Sequence, residues 1–201
     1  MNAPPVGVLA LQGDVREHLV ALTSCGAQAV PVRRPSELTD LAGIVLPGGE
    51  STTIDKLSRA FALRDPLIAA LRAGLPAYGS CAGMILLADR VLDGTKDQQT
   101  FGGLDITVRR NAFGRQVESF EADVELAGVT GGPMHVVFIR APWVERINAP
   151  VQVLGEVELP GTRKSRVIAV QQGNLLATSF HPEVTGDLRI HRYFLDLVRA
   201  A

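Results

Sequence analysis

Apolar runs rich in β-branched residues alternate with segments of helical period in the first part of the chain. Residues 6–11 and 43–47 are typical of buried strands. Between them, apolar side chains recur at helical spacing, Asp14 and Glu17 match a capping box, and Gly26 ends the predicted helix. Strands that alternate with helices predict an α/β fold, with a mostly parallel central sheet and helices on both faces.

The rest of the pattern adds helices and a region rich in strands. A helix is predicted to begin at Ser51, with Phe61 on its inward face. From residue 105 to 138 the helical period disappears, and alternating apolar and polar positions predict a β-rich extension. Residues 151–180 predict further strands, and residues 188–198 predict a closing helix.

Composition favours a single domain over residues 1–201. The chain is 46% hydrophobic, which is enough for a buried core, and no linker rich in Gly, Ser or Pro divides it. A formal net charge of −1 gives no reason to expect a nucleic-acid partner or an anionic membrane. No apolar run is long enough to span a bilayer, and the first residues do not match a signal peptide. We therefore expect a cytoplasmic protein.

Cys81 lies in a glycine frame, Gly79-Ser-Cys-Ala-Gly83, between a short apolar run and a helix-like stretch. This is the pattern of a nucleophile elbow, in which the following helix directs its N-terminal amides at the sulfur. Such amides favour a thiolate and can stabilise an oxyanion. A cysteine that only packs in the core is the alternative, and we expect that of Cys25. A disulfide between these two cysteines would block the nucleophile, which favours a reducing compartment.

The segment Ser179-Phe-His-Pro-Glu183 supplies what a cysteine nucleophile needs. His181 can act as the base, and Glu183 can orient it. In an extended segment, spacing of two residues puts both side chains on one side, and Pro182 is expected to keep the segment out of a helix. Together with the elbow, this segment predicts a triad of Cys81, His181 and Glu183.

Gly48 and Gly49 follow the second predicted strand. They can form a tight strand-to-helix connection, and they can also let backbone amides approach an oxyanion at the carboxyl edge of the sheet. The turn matches neither a dinucleotide fingerprint nor a Walker loop, so we expect no phosphate site there.

Six blocks of sequence, distributed along the whole chain, carry a family pattern. They are Gly7-Val-Leu-Ala-Leu-Gln-Gly13 with Arg16-Glu-His18, Leu46-Pro-Gly-Gly-Glu-Ser-Thr-Thr53, Gly79-Ser-Cys-Ala-Gly83, Arg110-Asn-Ala-Phe-Gly-Arg-Gln116 with Glu118-Ser-Phe-Glu121, Phe138-Ile-Arg-Ala-Pro142 and Ser179-Phe-His-Pro-Glu183. The chain thereby resembles the class I (triad) glutamine amidotransferases, which have a flavodoxin-like fold. Among these it is most similar to the glutaminase subunits of pyridoxal 5'-phosphate synthases.

This resemblance implies hydrolysis of L-glutamine to L-glutamate and ammonia. The ammonia would pass to a synthase subunit in a large heteromeric complex, which makes pyridoxal 5'-phosphate from a pentose phosphate and a triose phosphate. The chain itself would need no cofactor and no metal ion. The residues implied to bind glutamine are Gly48, Gly49, Glu50, Arg110, Ile139 and Arg140. The resemblance also implies an oxyanion hole at Gly49 and Ala82, and partner coupling through Gln12 and His18.

Three alternatives remain. The first is the glutaminase subunit of another small amidotransferase, such as imidazole glycerol phosphate synthase, against which the blocks at 110–116 and 138–142 argue. The second is a cysteine-elbow protein of the stress-protein or peptidase type, which is not expected to carry the His-Pro-Glu segment. The third is an inactive scaffold, which the complete triad disfavours. The segments 93–100 and 130–135 match no motif and are assigned no role.

Overall fold

A computed structural model of the chain describes residues 5–110, 119–159 and 164–201. The sequence block at residues 111–118 lies outside the described residues. Within the described ranges the strands are β1 Val6–Leu9, β2 Ala29–Val32, β3 Gly43–Leu46, β4 Ala77–Ser80, β5 Ala88–Leu92, β6 Leu104–Arg109, β7 Ser119–Val124, β8 Met134–Ile139, β9 Trp143–Ile147, β10 Gln152–Glu158, β11 Ser165–Gln172 and β12 Leu175–Thr178.

Helices connect the parallel strands and close the chain. They are α1 Val15–Ser24, α2 Ser51–Ala60, α3 Arg64–Arg72, α4 Ala82–Leu87, α5 Pro182–Thr185 and α6 Arg189–Ala200, with a short 3-10 helix at Pro35–Leu38. In the part of the chain that the structure describes, none of them combines the length and the apolar character that a membrane span needs.

Ten strands form the main sheet of the described chain. Its order begins β2-β1-β3-β4-β12, and these five strands are parallel to their neighbours. The sheet continues through β11, β9, β6 and β5, where antiparallel pairing dominates, while β10 pairs with β11. Strands β7 and β8 form a separate two-stranded sheet. The predicted mostly parallel sheet with a β-rich extension is confirmed.

The central strands bury side chains on both faces. Successive side chains of a strand point to opposite faces, so Ile44 and Leu46 join one core cluster while Val45 joins the other. Residues of α2, α3 and α4 complete the first cluster, and residues of α1 and α6 complete the second. Each fully buried side chain of this type contributes roughly 1.5–3 kcal/mol relative to exposure. The carboxyl ends of β1, β3, β4 and β12 therefore lie at one well-supported edge.

Two local features differ from the sequence pattern. Strand β2 is a half-buried edge strand that contains Pro31, and a proline in a short, weakly apolar run obscures a strand signal. The inward position predicted for Phe61 is wrong, because α2 ends at Ala60 and the Phe61 side chain is 57% exposed. The predicted start of this helix at Ser51 agrees with the structure, in which the Glu50 carboxylate accepts the cap hydrogen bond from the Thr52 amide.

Candidate active site

Cys81 follows β4 directly and precedes the first residue of α4. Its backbone has φ 49° and ψ −97°, the unfavourable conformation of an elbow, and its side chain is 7% exposed. The Cys81 amide donates to the Thr178 carbonyl at 2.8 Å, which fastens the turn to the end of β12. A Cβ atom at Gly83 would meet the Leu46 carbonyl oxygen, so only glycine lets the elbow lie this close to β3.

His181 lies just beyond β12, at the N-cap of α5. Its backbone amide donates to the Val137 carbonyl at 3.1 Å, and its Nδ1 donates to Glu183 Oε1 at 2.7 Å. Burial lowers the pKa of His181, but hydrogen bonds with Asp14, Cys81 and Glu183 outweigh it and raise that pKa well above its usual value. The structure thus brings the three predicted triad side chains together, with Cys81 and His181 on the wall of one cavity and Glu183 bonded to His181.

The backbone around this base differs from the expectation. Pro182 was expected to keep the segment out of a helix, but it occupies the first position of α5, where a missing amide hydrogen costs nothing. Glu183 therefore contacts His181 from within a helical turn, and its side chain is buried. The local shape differs from an extended segment, yet the two side chains still meet.

Asp14 is a site residue that the sequence pattern missed. Its predicted capping role is wrong, because the side chain makes no cap hydrogen bond to α1. Its Oδ2 instead lies 3.3 Å from His181 Nδ1, while its amide donates to the Gly48 carbonyl at 3.1 Å. The position of Asp14 after the first strand, at the ligand-binding edge of an α/β sheet, was the signal available in the sequence. Two carboxylates consequently face one nitrogen of His181, the predicted base.

A cavity of about 310 Å³ opens beside the sulfur. It is mixed in character, with charged groups of both signs at its wall. Its lining residues are Gln12, Asp14, Gly49, Glu50, Ser51, Cys81, Ala82, Ile85, Arg110, Ile139, Arg140 and His181. Five of the six residues implied to bind glutamine are among them, and Gly48 is the exception. A Cβ atom at Gly48 would run into the His181 ring, so Gly48 makes room for that ring.

The turn after β3 is held by Gln12. The Gln12 side-chain oxygen accepts a hydrogen bond from the Glu50 amide at 2.7 Å. Gly49 and Ala82, the two residues implied to form the oxyanion hole, both line the cavity with Cys81. Gln12 therefore controls the backbone next to one of the two implied oxyanion donors.

The two arginines of the cavity differ in how far they are buried. The Arg110 side chain is only 10% exposed, and its Nη2 donates to Glu50 Oε1 at 2.8 Å. Arg140 is exposed and has φ 43°, an uncommon conformation for a residue with a side chain. Ile139, beside it, is 42% exposed. The cavity thus offers a fixed guanidinium paired with a carboxylate, and a second arginine at the surface.

His18, which the resemblance assigns to partner coupling, does not lie at the surface. It is 0% exposed, because it belongs to the inner face of α1. Its Nδ1 lies 2.9 Å from His191 Nε2, and its Nε2 lies 3.6 Å from Glu183 Oε1. Burial lowers the pKa of His18, and it lowers the pKa of His191 to about 4. Both rings are consequently neutral near neutral pH and lie behind the triad.

One group of three side chains in the described ranges has the spacing to hold a metal ion. Asp14, His181 and Glu183 have ligand atoms within 4.8 Å of one another. His181 Nδ1 is already bonded to Glu183, and a metal ion would displace the proton that orients the base. This donor set fits a base held by carboxylates better than it fits a metal site.

Comparison with known sequences gives close relatives over the whole chain. A model of the SNO glutamine amidotransferase family matches residues 8–200. The pyridoxal 5'-phosphate synthase subunit PdxT of Salinispora arenicola is 64% identical over 201 residues, which covers 100% of both chains. The protein of the same name from Nocardia farcinica is 65% identical over 200 residues, covering 100% of this chain and 88% of that protein.

Solved structures agree with the sequence relatives. A crystal structure described as a glutamine amidotransferase has a TM-score of 0.87 and 47% identity, and the match covers 96% of this chain and 98% of the other. PurLQS from Thermotoga maritima has a TM-score of 0.65 over 98% of this chain and 99% of that one. At 15% identity, this second likeness shows a common fold.

Proposed function

Because the chain belongs to the SNO glutamine amidotransferase family, we propose that it is the glutaminase subunit of a pyridoxal 5'-phosphate synthase. It hydrolyses L-glutamine to L-glutamate and ammonia and delivers the ammonia to the synthase subunit. The observation that carries this proposal is the placement of Cys81 and His181 on the wall of one cavity of suitable size, with Glu183 hydrogen-bonded to His181.

The first half of the reaction acylates the enzyme. The Cys81 thiolate attacks the side-chain amide carbon of glutamine, forming a carbon–sulfur bond and an oxyanion. Amides of Gly49 and Ala82 are the donors proposed for this oxyanion, since both residues line the cavity with the sulfur. The carbon–nitrogen bond then breaks, and the leaving nitrogen takes a proton from His181 and departs as ammonia. The raised pKa of His181 keeps it protonated for this step.

The second half regenerates the thiolate. His181 takes a proton from water, which attacks the γ-glutamyl thioester carbon, and the carbon–sulfur bond breaks to release glutamate. Glu183 and Asp14 both face Nδ1 of His181, so the ring stays oriented while its other nitrogen gains and loses the proton. No step requires a group outside the chain other than substrate and water.

Glutamine carries an α-carboxylate and an α-ammonium, and the cavity wall carries matching charges. Arg110 and Arg140 provide guanidinium groups for the carboxylate, while Glu50 and Asp14 provide carboxylates for the ammonium. Because the Arg110 guanidinium is held at a fixed position, it favours a substrate of one length. We propose that the distance between the Arg110 guanidinium and the Cys81 sulfur selects glutamine over the shorter asparagine.

The partner in this proposal is the synthase subunit, within a heteromeric complex in the cytoplasm. Gln12 lines the cavity and holds the Glu50 amide. A partner that contacts Gln12 can therefore adjust the adjacent Gly48-Gly49 turn, which carries one of the proposed oxyanion donors. His18 is fully buried, so it acts through neighbouring side chains, among them Glu183 of the triad. We further propose that residues 1–201 form one domain, a view supported by a sheet whose central strands come from both ends of the chain.

The imidazole glycerol phosphate synthase alternative is not favoured. The relatives at 64% and 65% identity both carry the name of the pyridoxal 5'-phosphate synthase subunit. The grouping of Cys81, His181 and Glu183 likewise gives no support to an inactive scaffold.

The test is ammonia release from L-glutamine by the purified chain, alone and with the synthase subunit. Wild-type protein should release ammonia with the synthase present, and Cys81→Ala should lose this activity by at least about a thousandfold because it lacks the proposed nucleophile. Cys25→Ala is the matched control and should retain wild-type activity. Undiminished release by Cys81→Ala, or none by the wild-type complex, would contradict the proposed function.

A further inference from the structure

The loop between β5 and β6 carries a side chain that reaches behind the active-site cavity. The sequence pattern assigns no role to residues 93–100, yet Gln98 is half-buried there while its neighbour Gln99 is exposed. Gln98 is not part of the cavity wall. Its side-chain amide instead contacts Ser51 and Arg110, which both line the cavity.

Both the oxygen and the nitrogen of the Gln98 side-chain amide form hydrogen bonds. Its side-chain oxygen accepts a hydrogen bond from Arg110 Nη1 at 2.6 Å, and its Nε2 donates to Ser51 Oγ at 2.8 Å. Ser51 is 1% exposed, and the Arg110 side chain is 10% exposed. Short hydrogen bonds to a charged group that is shielded from solvent are stronger than hydrogen bonds between neutral groups. Gln98 thus joins the start of α2 to the end of β6.

The backbone that presents Gln98 is also fixed. The neighbouring Gln99 amide donates to Asp55 Oδ2 at 3.1 Å, and the same oxygen accepts from Arg59 Nη2 at 2.9 Å. Asp55 is fully buried in α2, so it is a rigid anchor for the loop. The backbone amide of Gln98 closes a local turn by donating to the Thr95 carbonyl at 3.0 Å. The side chain is therefore held in place before substrate arrives.

Arg110 depends on this support for its direction. Its Nη1 is shared by Gln98 and Thr52 Oγ1, the latter at 3.0 Å, while its Nη2 is paired with Glu50. Without Gln98, the strongest remaining attraction is the Glu50 carboxylate, and a long side chain regains rotational freedom. A neutral amide directs the guanidinium without adding a second negative charge beside Glu50.

We propose that Gln98 is a positioning residue for substrate binding, which uses its hydrogen bond to Ser51 to fix the Arg110 guanidinium for glutamine. This proposal rests on the proposed function, in which Arg110 binds the α-carboxylate. Gln98 acts through its two partners and does not touch the substrate. It contributes to binding of the ground state and the transition state alike, so it affects KM more than kcat.

The matched pair of variants is Gln98→Met and Gln99→Met, assayed for glutamine hydrolysis in complex with the synthase subunit. Gln98→Met keeps the side-chain length and removes both hydrogen bonds. We expect it to raise the KM for glutamine about tenfold while kcat stays within about twofold. Gln99→Met leaves the backbone bond to Asp55 intact and should match the wild type. Similar thermal midpoints would show that both variants fold.

A double-mutant cycle with Arg110→Met separates positioning from a general structural effect. If Gln98 acts through Arg110, Gln98→Met should lower kcat/KM far less in the Arg110→Met background than in the wild type. Unchanged KM in Gln98→Met, equal losses in both backgrounds, or the same KM increase in Gln99→Met would each overturn the positioning role. Those outcomes all require an active wild-type complex, whereas an inactive one would contradict the proposed function itself.

Discussion

The buried pair of His18 and His191 should make the protein sensitive to mild acid. Both rings are 0% exposed, and their nitrogens lie 2.9 Å apart. Burial lowers the pKa of His191 from 6.5 to about 4, although Asp187 nearby acts in the opposite direction. Protonation of this ring would place an unfavourable charge beside a second imidazole. We therefore expect stability to fall before the carboxylates titrate.

The magnitude follows from linkage. Because the folded pKa of His191 lies below the unfolded value, the unfolded chain binds more protons between these two pKa values, and the free energy of unfolding decreases as the pH falls through this window. A shift from 6.5 to about 4 corresponds to about 3 kcal/mol in full. About 2 kcal/mol of it should be lost by about pH 5.

Urea unfolding of wild type and His191→Phe, followed by fluorescence of the single tryptophan, Trp143, measures this effect. His191→Phe keeps a ring against Tyr78, which lies 5.9 Å away between centroids, but cannot be protonated. Between about pH 7 and about pH 5, the variant should lose about 2 kcal/mol less than the wild type. His181, whose raised pKa gives the opposite trend, is common to both proteins and cancels in this comparison. Equal losses in the two proteins would refute the reasoning.

Three further predictions concern the active site. Gly48→Ala should reduce glutamine hydrolysis by about a hundredfold or more, because its Cβ would displace the His181 ring; a normal kcat would contradict this. Glu183→Gln should retain some activity, since Asp14 stays 3.3 Å from the same nitrogen, and adding Asp14→Asn should remove the remainder in a steady-state ammonia assay. Gln12→Ala should lower synthase-stimulated turnover about tenfold by releasing the turn beside the oxyanion site, and an unaltered ratio of rates with and without synthase would exclude this coupling role.

The fold was predictable where one physical signal dominated. Ile44, Val45 and Leu46 form a continuous apolar run, and a strand buried on both faces of a parallel sheet requires such a run. Pro31 shows the limit, since the strand that contains it is fixed by pairing with β1 and not by its own pattern. Phe61 shows another limit, because helical period does not tell which residue ends a helix.

The candidate site was predictable as a set of motifs and not as a set of contacts. Asp14 fits an N-cap in the sequence, and only the approach of α5 to α1 reveals that it faces the base. His18 is placed near the edge by its chain position, but the rotation of α1 turns it inward. Gln98 belongs to no motif, because its role depends on Ser51 and Arg110, which are distant in the chain.

The most direct test of the central claim is to identify the atom of the enzyme that carries the γ-glutamyl group. The complex should be acid-quenched while it turns over isotope-labelled L-glutamine, digested, and analysed by peptide mass spectrometry. The chain contains two cysteines, so Cys25 serves as an internal control in every sample. We predict a labelled γ-glutamyl adduct on the peptide that contains Cys81 and none on the peptide that contains Cys25. Turnover without an adduct on Cys81, or an adduct on Cys25, would contradict the assignment of Cys81 as the nucleophile.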